Sequence, residues 1–290
     1  MRIATRSSPL ALAQARSVAG AIGGAEMLKV EADNTPGDKE RFVRGVEVAL
    51  LEGRADAGVH SAKDLPGNMT TGLSIASVPT REDARDVWLG PGSSLADVPE
   101  GARVGTVSLR RRSQLLALRP DLKPVELRGN VDTRIRKLRE GEVDGLVLAM
   151  AGLRRLGRED EVAFAFGLDQ MLPAAGQGAL VVQSRVGEEE AGGLRGLNDF
   201  ESERRLLAER AAVVALAADC SSPVGVHARI QGERLVADGF AGLADGSQWI
   251  RDTVEGSSSQ PEAVGRELAK RMIAAGAREL LDLAAREAGE

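Results

Sequence analysis

Arginines recur in this 290-residue chain where an apolar, strand-like run gives way to a helix-like one: Arg6, the trio Arg110, Arg111 and Arg112, Arg128 with Arg134, and Arg154 with Arg155. The trio is the sharpest case. It falls in the first turn of a helix read over SLRRRSQLLAL, where unpaired N–H groups and the positive end of the macrodipole ordinarily attract Asp or Glu and repel cations. An anion held at that turn would explain the pattern. The guanidinium fork pairs bidentately with carboxylate or phosphate, and helix N-termini add N–H donors, so the set suits a ligand with several anionic groups. The alternative is that single arginines are solvated or pair with the chain's own Glu and Asp. A cation in a first turn forfeits about 0.3–1 kcal/mol, which argues against that reading for all the turns together.

Among these arginines sits HSAKDLPG, at the end of an apolar run. Asp64 there is either a carboxylate kept ionised by surrounding cations, able to hold N–H donors and stabilise a developing positive charge, or a turn-capping Asp before Leu65-Pro66. His60 reads as a buried strand histidine rather than a base. Cys220, in the loop ALAADCSSPVG, is either a small buried hydrophobe or, beside an arginine-lined cleft, a nucleophile or attachment point.

Bulk composition narrows the class. Hydrophobic residues at 43% and charged residues at 28% are those of a soluble globular protein, and the length predicts two or three domains. A net charge of -5 with 2% aromatic residues lacks both the basic surface and the stacking rings expected of a nucleic-acid binder. One cysteine excludes an internal disulfide framework, and two separated histidines, His60 and His227, speak against a metal site. No apolar run approaches the roughly 20 residues of a membrane span and the N-terminus carries no secretory pattern, so a cytoplasmic protein is expected.

The elements that must position these residues follow from punctuation and period. A strand over Ile3–Thr5 precedes a helix capped by Ser8 with Pro9 at its first position and ending near Ala21. MLKVEA is a second strand, ERFVRGVEVALLEG an amphipathic helix closed by Gly53, and ADAGVHS a buried strand. The pattern then recurs: Arg2-Ile3-Ala4-Thr5-Arg6-Ser7 is echoed by Arg103-Val104-Gly105-Thr106-Val107-Ser108, and Glu52-Gly53-Arg54-Ala55-Asp56 by Glu140-Gly141-Glu142-Val143-Asp144. Between these echoes lie the arginine helix, a strand over LKPVEL and a helix over NVDTRIRKLREG capped by Asn130 or Asp132. Two similar α/β domains account for this; the competing explanation is chance likeness between ordinary βα units. From Asn198 a long helix, the cysteine loop, a hairpin about the QGER turn, a further strand over QWIRDTV and one last helix over EAVGRELAKRMIAAGARELLDLAAREAG make a separate α+β domain. SVPTREDARD and MLPAAGQGALVVQSR are the expected crossings between domains.

TRSSPLALAQ, ADAGVHSAKDLP, GTVSLRRRSQL, LRGNVDTR, LAMAGLRRLG and LPAAGQGAL, in this order and followed by a cysteine loop, resemble the porphobilinogen deaminase family along nearly the whole chain. The resemblance implies an α/β fold of two periplasmic-binding-protein-like domains, 1–80 with 178–196 and 84–173, plus a smaller C-terminal α+β domain, 198–290, whose cysteine carries a dipyrromethane cofactor through a thioether. It implies a transferase, hydroxymethylbilane synthase, that adds four porphobilinogen units one at a time with loss of ammonia and releases 1-hydroxymethylbilane to water, in tetrapyrrole biosynthesis. Each pyrrole carries an acetate and a propionate, so the growing chain is a polyanion, and ammonia loss leaves an azafulvenium-like cation that a carboxylate stabilises.

Carried over by motif, Asp64 is the catalytic acid/base and Cys220 the attachment residue. Lys63, Ser108, Arg110, Arg111 and Arg134 would hold cofactor carboxylates, and Arg6, Ser8, Gln14, Arg128 and Arg155 the incoming substrate or growing chain. Arg112 and Arg154 match no role in the family. The expected partners are porphobilinogen and the growing chain, without nucleic acid, membrane or metal, on a monomer. A non-catalytic binding protein for a small polyanion is the alternative. The sequence also departs from the family: Lys39-Glu40-Arg41 alone separates Asp38 from Phe42, roughly a dozen residues fewer than the glycine- and lysine-rich lid segment; Asp219 replaces the glycine before the cysteine; and Gln183 replaces a glutamate.

Overall fold

Short apolar runs alternating with helical segments build the first domain: β1 (Arg2–Arg6), α1 (Pro9–Ala21), β2 (Glu26–Val30), α2 (Arg44–Leu51), β3 (Ala57–Ser61) and β4 (Leu73–Ser77). The computed structural model describes residues 1–31, 43–219 and 221–287, so the shortened segment between Asp38 and Phe42 lies outside the described residues. Ser8 caps α1 by accepting from the Ala11 N–H, with Pro9 following at the first helical position. β1 runs parallel to both β2 and β3.

The second domain contains β5 (Asp86–Leu89), β6 (Arg103–Gly105), α3 (Leu109–Leu118), β7 (Lys123–Val125), α4 (Val131–Arg139), β8 (Gly145–Ala149), α5 (Met150–Arg155) and β9 (Phe164–Ala165). Its sheet order is β7-β6-β8-β5-β9; that of the first domain is β2-β1-β3-β10-β4, with β10 (Leu180–Arg185) returning from beyond the second domain. Each sheet thus has three parallel strands in the order two-one-three, then an antiparallel strand, β10 or β5. The chain crosses between the sheets twice, through 78–85 and 166–179.

The repeated motifs meet each other in space. The Arg2 N–H donates to the Asp56 carboxylate at 2.7 Å and the Asp56 N–H donates back to the Arg2 carbonyl at 2.9 Å. Arg103 and Asp144 repeat the same reciprocal pair at 2.7 and 2.8 Å. Each pair fixes where the third strand enters its sheet, which gives the echo a structural reason. Asn130, rather than Asp132, caps α4 by accepting from the Thr133 N–H at 2.8 Å.

The third domain packs α6 (Phe200–Ala215) and α7 (Pro261–Ala274) against the antiparallel sheet β11-β12-β13 (Val224–Gln231, Arg234–Gly242, Trp249–Ser257), around Val226, Leu235, Leu268 and Met272. The single last helix expected from the sequence is two. Gly276 adopts φ 100° and ends α7, and α8 (Ala277–Glu287) turns to place Leu280 and Ala284 against Leu243. The parallel strands β3 and β6, one from each α/β sheet, lead at their carboxyl ends to Lys63-Asp64 and to Ser108 and Arg110, which face one space between the domains, the place where open α/β sheets bind ligands.

Candidate active site

β3 ends at Ser61 and a single 3₁₀ turn, Ala62–Asp64, follows it; the Ala62 N–H is tied to the Ala179 carbonyl of the second crossing at 3.0 Å. That anchor projects Lys63 and Asp64 into a cavity of about 290 Å³. The second domain contributes Ser108 and Arg110, and the third Arg210, Asp219 and Ser222; Ala174, Ala175, Val213 and Val224 form apolar walls. Its size is at the lower end of ligand pockets, and the mixture of apolar wall and few convergent polar groups is their usual character. Asp64 also borders a recess of about 10 Å³ with Arg6, Gln14, His60 and Ser61, room for a single water. Arg6, at the end of β1, brings Nη2 within 3.5 Å of Asp64 Oδ2.

The anion expected at the first turn of α3 is present within the chain itself. Arg110 Nη1 lies 2.6 Å from Asp86 Oδ2, while Arg111 donates from Nε and Nη2 to Asp86 Oδ1 at 3.0 and 2.7 Å. Arg111 also donates to the Val147 carbonyl at 2.9 Å. The trio therefore separates by direction: Arg110 reaches the cavity wall, Arg111 is turned inward onto Asp86, and Arg112 is exposed. Burial pushes the Asp86 carboxyl toward its neutral form, but Arg110 and Arg111 outweigh it and hold the group well below the usual carboxylate range. Lys63 is pushed down to about 8 by burial and by neighbouring Arg111. Five cations, Arg6, Lys63, Arg110, Arg111 and Arg210, thus stand around three carboxylates, Asp64, Asp86 and Asp219, and the site carries surplus positive charge.

The other residues singled out in the sequence divide. Ser108 caps α3, its Oγ 3.4 Å from the Arg111 N–H, and its side chain lies at the cavity. Half-buried Arg134 donates from Nε to the Gly129 carbonyl at 2.9 Å; burial and then Arg111 lower its affinity for a proton. Arg155 lines a separate cavity beside Ser17 and Glu82 and donates to the Gly178 carbonyl at 2.7 Å. Arg128 stands apart on the surface, 82% exposed and 3.3 Å from Glu126. Cys220 lies outside the described residues; Asp219 and Ser222, on either side of it in sequence, reach the cavity.

Two contributors were not singled out in the sequence. Asp86 is hidden because its partners are 24 and 25 residues away. Arg210 donates to the carbonyls of Pro66 and Gly67 at 2.8 and 2.9 Å; its signal was a charged pair, Glu209-Arg210, inside the otherwise apolar stretch LLAERAAVVALA. Among the described residues no group of His, Cys, Asp and Glu has the geometry of a metal site, and no helix is long and apolar enough to cross a membrane.

Comparison with known proteins matches residues 1–192 to the family model described as porphobilinogen deaminase, dipyromethane cofactor binding domain, and residues 204–274 to the porphobilinogen deaminase C-terminal domain. The porphobilinogen deaminase of Campylobacter concisus is 42% identical over 299 residues, covering 97% of this chain and 97% of that protein. That of Roseiflexus castenholzii is 42% identical over 298 residues, covering 97% and 98%. Among solved structures, a TRAP periplasmic solute binding protein from Desulfovibrio salexigens aligns with a TM-score of 0.42 and 13% identity over 70% of this chain and 72% of that one.

Proposed function

The chain belongs to the porphobilinogen deaminase family, and from that premise we propose that it joins four porphobilinogen molecules head to tail on a dipyrromethane held by Cys220, loses one ammonia per addition, and releases 1-hydroxymethylbilane by hydrolysis. The observation that carries this reading is the position of Asp64 at the junction of two cation-lined spaces. On one side are Lys63, Ser108 and Arg110; on the other, Arg6 and Gln14.

The donor set suits the cofactor. Ammonium, guanidinium and a hydroxyl at a helix N-terminus match carboxylate side chains, and the apolar walls match pyrrole faces. Once bound, the dipyrromethane supplies the pyrrole carbon to which the first unit is joined. Lys63, Ser108 and Arg110, which line the cavity, would hold its carboxylates, and Arg111 and Arg134, set outside the lining, would add positive charge behind them. Arg6 and Gln14, beside Asp64, would receive the incoming monomer, with Ser8 at the start of the same helix as Gln14; Arg155 in its separate cavity and Arg128 on the surface would meet only the lengthening chain. Asp64 accepts pyrrole N–H groups at its carboxylate oxygens and opposes the positive charge left when the amine departs as ammonia; it takes the proton that the attacking pyrrole carbon loses as the new C–C bond forms and passes it to the next departing amine. We read the protein as a monomer working in the cytoplasm without nucleic acid or membrane, in keeping with its net charge of -5 and sparse aromatic residues.

Intact-protein mass spectrometry combined with a porphobilinogen-consumption assay tests the reading. The expected result is an added mass of two pyrrole units on the parent chain that is absent from Cys220→Ser, together with turnover of porphobilinogen by the parent. Asp64→Asn should keep its melting temperature within a few degrees and lose about 10²–10⁴ in turnover, the usual contribution of a positioned acid/base. An unmodified parent chain that consumes no porphobilinogen would instead mark a plain polyanion binder.

A further inference from the structure

Asp86 belongs to none of the groups assigned above, yet it organises two of them. Its side chain is fully buried at the start of β5. Oδ2 accepts from Arg110, and Oδ1 accepts from Arg111 and from Gln177 Nε2, the last at 2.9 Å. Gln177 lies in the second crossing, and the same Nε2 donates to the Ala84 carbonyl of the first crossing at 2.7 Å. The backbone carbonyl of Gln177 accepts from Arg81 Nε, also of the first crossing, at 2.9 Å. One turn along α3, Gln114 completes the attachment: its amide donates to the Leu172 carbonyl and accepts from the Leu172 N–H, at 3.0 and 2.7 Å. The first turn of α3 is therefore fastened to both segments that join the two α/β domains.

We propose that Asp86 is a positioning residue for the reaction: it fixes the direction in which Arg110 enters the cavity, holds Arg111 behind it, and through Gln177 keeps that pair in register with both crossings. The inference rests on the functional reading above. The physical reason is directional. An arginine side chain has several rotatable bonds; Asp86 takes one edge of the Arg111 guanidinium, Nε and Nη2, and pins Nη1 of Arg110 together with the Leu172 carbonyl, which leaves few orientations for the rest of each. One carboxylate shared by two guanidiniums also leaves net positive charge for a carboxylate ligand. A misplacement of about 1 Å in a reacting group can cost about 10²-fold in rate, so the anchor matters although it need not touch the ligand.

The test uses Asp86→Asn and Asp86→Glu, each followed by thermal melting, by intact mass for the fraction of chains bearing two pyrrole units, and by kcat and KM expressed per cofactor-bearing molecule. Asp86→Asn should lower cofactor occupancy several-fold and kcat about 10- to 100-fold while KM for porphobilinogen stays within about two-fold. Asp86→Glu keeps the charge and cooperative melting but moves the carboxylate by one methylene, so its kcat should fall between those of Asp86→Asn and the parent. A merely structural role would lower the melting temperature and leave kcat per loaded molecule unchanged. Parental occupancy and kcat in Asp86→Glu, or in an Asp86→Asn protein that still melts cooperatively, overturn the proposal; if Asp86→Asn does not fold, Asp86→Glu decides alone. A parent chain with no adduct and no turnover fails the functional reading instead.

Discussion

Four residues before Asp64, on the strand β3 that leads into its turn, His60 shows how one side chain conditions the site without joining it. It is buried, and its Nε2 lies 3.0 Å from Gln183 Oε1. The Gln183 amide is oriented by its other end, which donates to Glu47 Oε1 at 2.9 Å, so His60 must donate from Nε2 and is the neutral Nε2–H tautomer. Burial lowers its pKa to about 4, against the hydrogen bond it donates to Gln183 and with help from Arg6. The unfolded chain, with an ordinary histidine near 6.5, therefore binds more protons than the folded one between pH 4 and 6.5. Stability contributed by this group is present above that window and is lost as pH falls through it, up to about 3 kcal/mol. Comparing urea midpoints of the parent and His60→Gln, the parent should lose stability more steeply from pH 6.5 to 4; parallel pH profiles would refute this. The buried character of His60 was legible from its apolar strand. Its partners were not, because Gln183 is 123 residues distant, and Asp86 escaped sequence reading for the same reason.

Elements were legible where their signals are local and illegible where a single backbone angle decides. Ser8-Pro9 marked the start of α1, and the twin Arg2/Asp56 and Arg103/Asp144 contacts explain why the α/β echo could be seen at all. The last helix was misread because its helical pattern runs on through Gly276, and periodicity does not register one left-handed residue. At Gly276 an added Cβ would meet nothing nearer than Glu279 Oε2 at 4.0 Å, so substitution is limited by φ rather than by space. Gly276→Ala should therefore cost about 1–2 kcal/mol, the left-handed penalty for an L side chain, read as a lowered thermal midpoint. An unchanged or raised midpoint would mean that α7 and α8 can fuse and that Leu280 and Ala284 need not pack on Leu243.

Across the whole molecule, one buried carboxylate joins both crossings to the third domain at a single point, beside separate ties such as the Arg81 N–H to Ser202 Oγ and the Val226 N–H to the Pro173 carbonyl. Glu209 of α6 accepts from Arg81 Nη1 and Nη2 at 2.7 and 3.1 Å, from the Gly176 N–H at 2.6 Å and from the Ala228 N–H at 2.8 Å. Arg81 lies in the first crossing and Gly176 in the second, so all three domains meet at this group. Burial alone would favour the neutral acid, but Arg81 and His227 hold it well below the usual carboxylate range. Four satisfied acceptor contacts repay much of the desolvation, whereas removing one partner strands the other charge. Glu209→Ala should thus cost about 3–5 kcal/mol and lower cofactor occupancy, because the helix that carries Arg210 and leads toward Cys220 would lose its charged tie to both crossings and keep only weaker ones such as that of Ser202. Replacing both charges, Arg81→Met with Glu209→Leu, should recover most of the stability in a urea titration, since no lone buried charge remains. If the double variant proves as unstable as Glu209→Ala, the hydrogen bonds from Gly176 and Ala228, rather than the ion pair, bind the third domain to the other two.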